Sequence, residues 1–148
     1  MESDGLKLPK KIPTSIITGF LGSGKTTILN EIINYKEFKN TLLIINEFGK
    51  ISIDHHLIKK KSDDKIVLNN GCLCCSFSGD LVKTLDDSLK LKKKFDRIII
   101  ETSGLADPVP IVQTIVSDQI ISEKIKFKSL ITVVDTVNFQ NDLQYQQL

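Results

Sequence analysis

The string Gly19-Phe20-Leu21-Gly22-Ser23-Gly24-Lys25-Thr26 fits G-x-x-x-x-G-K-[ST], with an apolar run before it and a helical pattern after it. It constrains the fold because its chemistry needs a strand, a tight loop and a helix in that order. The glycines let the backbone wrap with its N–H groups pointing inward, an anion nest at a helix N-terminus. Lys25 is then expected between the β- and γ-phosphates of a nucleotide, and Thr26 is expected to offer its hydroxyl to Mg²⁺. By average residue usage, such a string arises by chance in about one chain of this length in a hundred, or fewer.

The rest of the chain supplies the elements such a loop requires. Ile12 to Thr18 is a β-rich run with Pro13 near its start, where a missing ladder donor is tolerated. Lys25 to Asn34 reads as a helix, because Ile28, Leu29, Ile32 and Ile33 recur at helical spacing. Thr41 to Ile45, Ile66 to Leu68, Arg97 to Ile100 and Phe127 to Val134 are short apolar runs of strand length. Between them a helix is expected from Gly79, with Asp80 assisting its start and Leu81, Leu85 and Leu89 on one face. Pro108 and Pro110 open another helix, expected to run through Val116. Strands alternating with helices indicate a three-layer α/β/α sandwich around a mostly parallel sheet, the P-loop NTPase class. Residues 1–11 read as a flexible leader and residues 12–148 as one domain.

In open parallel sheets a ligand binds at the carboxyl ends of the strands. Ile98-Ile99-Ile100-Glu101-Thr102-Ser103-Gly104 meets that demand. Glu101 can hold a water of the Mg²⁺ shell, and Gly104 can offer its N–H to a γ-phosphate. Asp135, after the last apolar run, is a weaker candidate and equally a plain turn former. Arg97 stands at the amino end of its strand, away from the phosphates, so it cannot act as an arginine finger and hydrolysis is expected to be slow.

Gly71-Cys72-Leu73-Cys74-Cys75 crowds all three cysteines of the chain onto one turn. Thiolate is the ligand that Zn²⁺ and Cu⁺ prefer. The C-x-C-C spacing differs from that of structural zinc fingers, and three ligands describe an open or transferable site better than a closed one. Water, a client's side chain, Glu47, or one of His55 and His56 could be a fourth ligand. Buried small hydrophobes or a redox-sensing pair are the alternatives, and His55-His56 on a polar loop are ordinarily solvated.

Composition narrows the partners. Net charge is only +2, and Arg97 is the sole arginine among 20 basic residues, which argues against nucleic-acid binding. The longest apolar stretches, around Leu130 to Val134, are far too short to cross a bilayer. An odd, clustered cysteine set fits a reducing cytoplasmic compartment rather than a disulfide framework.

These motifs together resemble a known family. Gly19 to Thr26, Asn46-Glu47-Phe48-Gly49, Gly71 to Cys75 and Glu101 to Pro108 fall in the order and spacing of the CobW-type metallochaperone GTPases, relatives of the nickel-insertion GTPases for hydrogenase and urease. The resemblance implies a GTP–Mg²⁺ site at Gly19, Leu21, Gly22, Ser23, Gly24, Lys25, Thr26 and Thr27, with Glu101 and Gly104. It implies Zn²⁺ on Cys72, Cys74 and Cys75, and delivery of zinc, or cobalt in some members, to a client metalloprotein; a homodimer is compatible with it. Two departures stand out. Lys50 occupies a position where the family usually carries an acid, and no Asn/Ser/Thr-Lys-x-Asp string follows Asp135. The expected domain is therefore a GTPase domain shortened at its C-terminal end, either a fragment or a shortened form with a damaged base pocket. A GTP-driven zinc carrier is the favoured function. The rivals are a non-catalytic zinc-binding module and an ATP-dependent kinase that shares the loop.

Overall fold

The computed structural model of the chain describes residues 10–46, 65–68, 77–90, 94–104 and 106–138. Among the described residues there are five strands: β1 (Ile12–Thr18), β2 (Thr41–Asn46), β3 (Lys65–Leu68), β4 (Arg97–Glu101) and β5 (Ile125–Thr132). They form one sheet in the order β3-β2-β4-β1-β5, and every pairing is parallel. The described residues also form four α-helices: α1 (Lys25–Ile32), α2 (Phe77–Leu89), α3 (Val109–Ser117) and α4 (Gln119–Lys124).

The strands are apolar at successive positions because helices cover both faces of the sheet. Ile16, Leu42, Ile44, Ile98 and Ile100 point to one face, where they pack with Leu81 and Leu85 of α2, Ile111 and Ile115 of α3, and Ile121 of α4. Ile17, Leu43, Ile45 and Ile99 point to the other, against Leu29 of α1. This alternation makes the three-layer sandwich, and β1, β2 and β4 each contribute to both cores.

Connectivity explains why, among the described helices, α1 lies on the face opposite α2, α3 and α4. The chain leaves β1 for β2 across β4, then leaves β4 for β5 across β1, in the opposite direction. Right-handed crossovers running in opposite directions must lie on opposite faces of the sheet. Adjacent strands β1 and β4 therefore send their following segments apart, and a crevice opens at their carboxyl ends.

Several boundaries differ from those expected of the sequence. α1 ends at Ile32, and its last turn relaxes through Ile33 to Tyr35, with the Asn34 Nδ2 donating to the Asn30 carbonyl at 2.6 Å. α2 begins at Phe77, two residues before Gly79. β5 starts and ends two residues earlier than the Phe127 to Val134 run. Helix α4 was not expected. Asp118 caps it, accepting from the Ile120 and Ile121 N–H groups through its side chain.

Candidate functional site

The phosphate loop leaves β1 at Thr18 and enters α1 at Lys25. Gly24 precedes α1 at φ 92°, ψ 14°, a left-handed conformation that strains any residue with a side chain. No side chain caps this helix, so the N–H groups of its first turn remain open to an anion. At the loop's other end a Cβ on Gly19 would lie 2.3 Å from the Val133 carbonyl oxygen, so only glycine fits beneath the chain leaving β5. The Ser23 N–H donates to the Phe20 carbonyl at 3.2 Å and closes the loop tip.

Lys25 is buried, and its ammonium donates to the carbonyls of Gly19 at 2.7 Å and Phe20 at 2.9 Å. Burial lowers its pKa from the ordinary lysine value, and the negative charge of Glu101 partly offsets this. Glu101 emerges from β4, is 5% exposed, and lies between Ile17 of β1 and Ile45 of β2 in register. Its Oε1 accepts from the Thr26 hydroxyl at 2.8 Å. α1 thus meets β4, itself paired with β1, through a hydroxyl–carboxylate contact at the crevice.

The site residues expected of the sequence fall into three groups. Gly19, Gly22, Ser23, Gly24, Lys25, Thr26, Glu101 and Gly104 converge on the carboxyl ends of β1 and β4, with Gly104 against the backbone of Phe20 and Leu21. Leu21 and Thr27 flank this group with exposed side chains. Cys72, Cys74 and Cys75, with Glu47, Lys50, His55 and His56, lie outside the described residues. Asp135 resolves as a turn former: its carboxylate accepts from the Val137 and Asn138 N–H groups and from the Asn138 side chain. Those hydrogen bonds, the Asn138 side chain's first, hold its pKa below the usual carboxylate value. Arg97 starts β4 at the far end of the sheet, 4.5 Å above the Phe38 ring.

A hydroxyl pair was not foreseen. Thr102 donates through Oγ1 to Thr18 Oγ1 at 2.9 Å, and its N–H donates to the Ile17 carbonyl, also at 2.9 Å. Both threonines are buried. They pin the segment after Glu101 to the root of the phosphate loop. The available signal was a threonine at the last position of β1 and another just after β4.

The donor set fits Mg²⁺. A hydroxyl and a carboxylate are hard oxygen ligands of the kind this ion takes alongside phosphate and water. The Ser23 hydroxyl is buried inside the loop with no hydrogen-bond partner among the described residues. Such an orphan is at home in a cradle built for an oxygen-rich ligand.

Residues 13–148 match the family described as "CobW/HypB/UreG, nucleotide-binding domain". The chain is 40% identical over 131 residues to the zinc chaperone YjiA of Escherichia coli K12, covering 86% of this chain and 41% of that protein. It is 41% identical over 132 residues to the zinc chaperone CobW of a Sinorhizobium species, covering 85% and 37%. Zinc-regulated GTPase metalloprotein activator 1 of Saccharomyces cerevisiae is 40% identical over 132 residues, covering 85% and 31%. The chain therefore spans about two fifths or less of these relatives' length. Among solved structures, the Zn(II)-bound YjiA GTPase from E. coli superposes with a TM-score of 0.63 at 29% identity, over 94% of this chain and 44% of that one.

Proposed function

Because the chain belongs to the CobW/HypB/UreG family of nucleotide-binding domains, we propose that it binds GTP at Gly19 to Thr27 and cleaves the β–γ phosphoanhydride, in the service of carrying zinc. The observation that supports this best is the junction of Lys25, Thr26 and Glu101 at the crevice between β1 and β4. The relatives' names, zinc chaperone and zinc-regulated GTPase metalloprotein activator, support the cargo and the nucleotide.

Each residue has a distinct task in this reading. The N–H groups of Gly22, Ser23 and Gly24 and of the first turn of α1 bind the phosphates. Lys25 sets its charge against the β- and γ-oxygens, and burial strengthens that charge's effect by excluding water. Thr26 and Glu101 would hold Mg²⁺, Thr26 directly and Glu101 through a water. When bound, the ion neutralises charge on the phosphate oxygens. Gly104 offers its N–H to the γ-phosphate. Arg97 is too far from this end of the sheet to assist, so turnover by the chain alone is slow.

Zinc is the cargo, held on Cys72, Cys74 and Cys75 and passed to a client metalloprotein; cobalt could share the thiolate site. Nucleotide and metal are coupled reciprocally: zinc tightens nucleotide binding by the factor that nucleotide tightens zinc binding. A phosphate-release assay tests the reading. Release that responds to zinc, is lost in Lys25→Ala and loses its zinc response in Cys74→Ala supports it. Zinc binding without release above the Lys25→Ala background makes the chain a non-catalytic zinc-binding module instead.

A further inference from the structure

Gly104 has a second reason to be glycine. It is not among the positive-φ glycines, which among the described residues are Gly19, Gly22 and Gly24, so backbone freedom does not explain it. Space does. A Cβ at Gly104 would stand 2.5 Å from the Leu21 nitrogen, 2.7 Å from the Leu21 Cα and 3.0 Å from the Phe20 carbonyl carbon. All three are backbone atoms of the phosphate loop, and none can swing aside as the end of a side chain can.

Which partner yields is set by how each is anchored. Thr102, two residues before Gly104, is pinned through its N–H to Ile17 and through its hydroxyl to Thr18. The Ala106 N–H donates to the Ser103 carbonyl at 3.0 Å and closes the turn around Gly104. By contrast the Leu21 side chain is 69% exposed and adds no buried packing of its own, so the loop tip is held by the hydrogen bonds to the Phe20 carbonyl. The loop is the part that must move. The Phe20 carbonyl also accepts from the Lys25 ammonium at 2.9 Å, so a shift of the Phe20–Leu21 peptide disturbs the lysine too.

We propose that Gly104 is a positioning residue of the phosphate loop: its missing side chain seats the Phe20–Leu21 peptide, and the loop's shape depends on that seat. This rests on the nucleotide-binding reading above and deepens it. A glycine that acts only through its N–H on the γ-phosphate matters to the triphosphate alone. A glycine that seats the loop matters equally to the diphosphate, because the loop wraps both.

The test has a readout with nucleotide and one without. In calorimetric titrations with Mg²⁺, Gly104→Ala is expected to weaken GDP and GTPγS alike, each by about tenfold or more, as forced overpacking against backbone does. Adding Leu21→Gly widens the dihedral range open to the loop backbone, lets it shift, and restores part of both affinities. Without nucleotide, the ¹⁵N amide resonances of Phe20, Leu21 and Ser23 move in Gly104→Ala, and that of Ser23 returns toward its original position in the double variant. The amides of Leu42, Ile44 and Ile98 stay in place and report an intact core. Loss of GTPγS affinity with unchanged GDP affinity overturns the proposal, and so do loop amides that do not move. If the unaltered chain binds neither nucleotide, the nucleotide-binding reading fails, while the amide shifts still decide whether Gly104 seats the loop.

Discussion

β1 has two parallel neighbours, and they look alike in sequence but not in structure. On one side Ile16 pairs with Ile100 of β4, on the other with Leu130 of β5. Ile100 is 1% exposed and Leu130 is 44% exposed. Ile17 pairs with Glu101 and with Ile131, and here the carboxylate is the buried one, at 5% exposure against 47% for the isoleucine. The difference lies behind each strand. β4 has β2 at its back, whereas β5 is an edge among the described residues. Both apolar runs lead into an acid, Glu101 and Asp135. Only the one emerging between two neighbouring strands is delivered to the phosphate loop.

The largest expected effect tests that contrast directly. Glu101→Ala removes the partner of Thr26 and the carboxylate proposed to help hold Mg²⁺, and phosphate release is expected to fall by about 10²- to 10³-fold. Asp135→Ala loses only a local turn and is expected to change release by less than about twofold. Steady-state assays on both variants decide it; equal losses would put Asp135 back in the site.

The hydroxyl pairs sharpen the same comparison at a smaller scale. Thr102→Val leaves the buried Thr18 hydroxyl without its donor and is expected to cost about 1–3 kcal/mol in urea unfolding, with Thr102→Ser restoring most of it. On the β5 side, the Ser129 hydroxyl donates to Ser15 at 2.9 Å in a partly buried position. Water can replace that bond, so Ser129→Ala is expected to cost about 0.5 kcal/mol or less. Packing follows suit. Ile100→Val is expected to lose about 0.5–1.5 kcal/mol, as deletion of a buried methyl does. Leu130→Val on the half-open face is expected to stay within about 0.5 kcal/mol.

What the sequence made legible divides along the same line. β1 and the start of α1 fall where their residues predict, because a glycine string and a continuous apolar run leave little choice. Lys25, Thr26 and Glu101 were likewise readable, since their chemistry demands the carboxyl ends of adjacent parallel strands. Helix α4 was not, because six residues give too few turns for a periodic pattern to declare itself, and only Asp118 marked its start. β5 began earlier than expected because Ile125 and Lys126 continue straight from that helix without a turn residue between them. Asp135 was already the weaker candidate by sequence, but strand order, not residue type, is what separates it from Glu101. Gly104 was legible as a glycine at the crevice but not as the seat of the loop, which needs the distance to Leu21.

The smallest expected effect lies in the pH dependence of folding, and it has a different origin on each side of β1. Burial lowers the Lys25 pKa below its ordinary value of 10.5. Below the lowered value both folded and unfolded chains carry the proton, and the folded state bears the full cost of a desolvated charge. Between the lowered value and 10.5 the unfolded chain holds more protons, so stability rises with pH across that window, and above it the cost is gone. Lys25→Met is expected to flatten this alkaline rise, measured as urea midpoints from neutral to about pH 10. Asp135 has the opposite sign. Its lowered pKa adds stability above the usual carboxylate range that is lost as the pH falls through the lowered value, and its exposure keeps that contribution slight. Asp135→Asn should therefore leave the alkaline rise untouched. An alkaline rise that survives in Lys25→Met would mean that the buried ammonium is not its source, and that the β4 side of the site is more hydrated than its geometry implies.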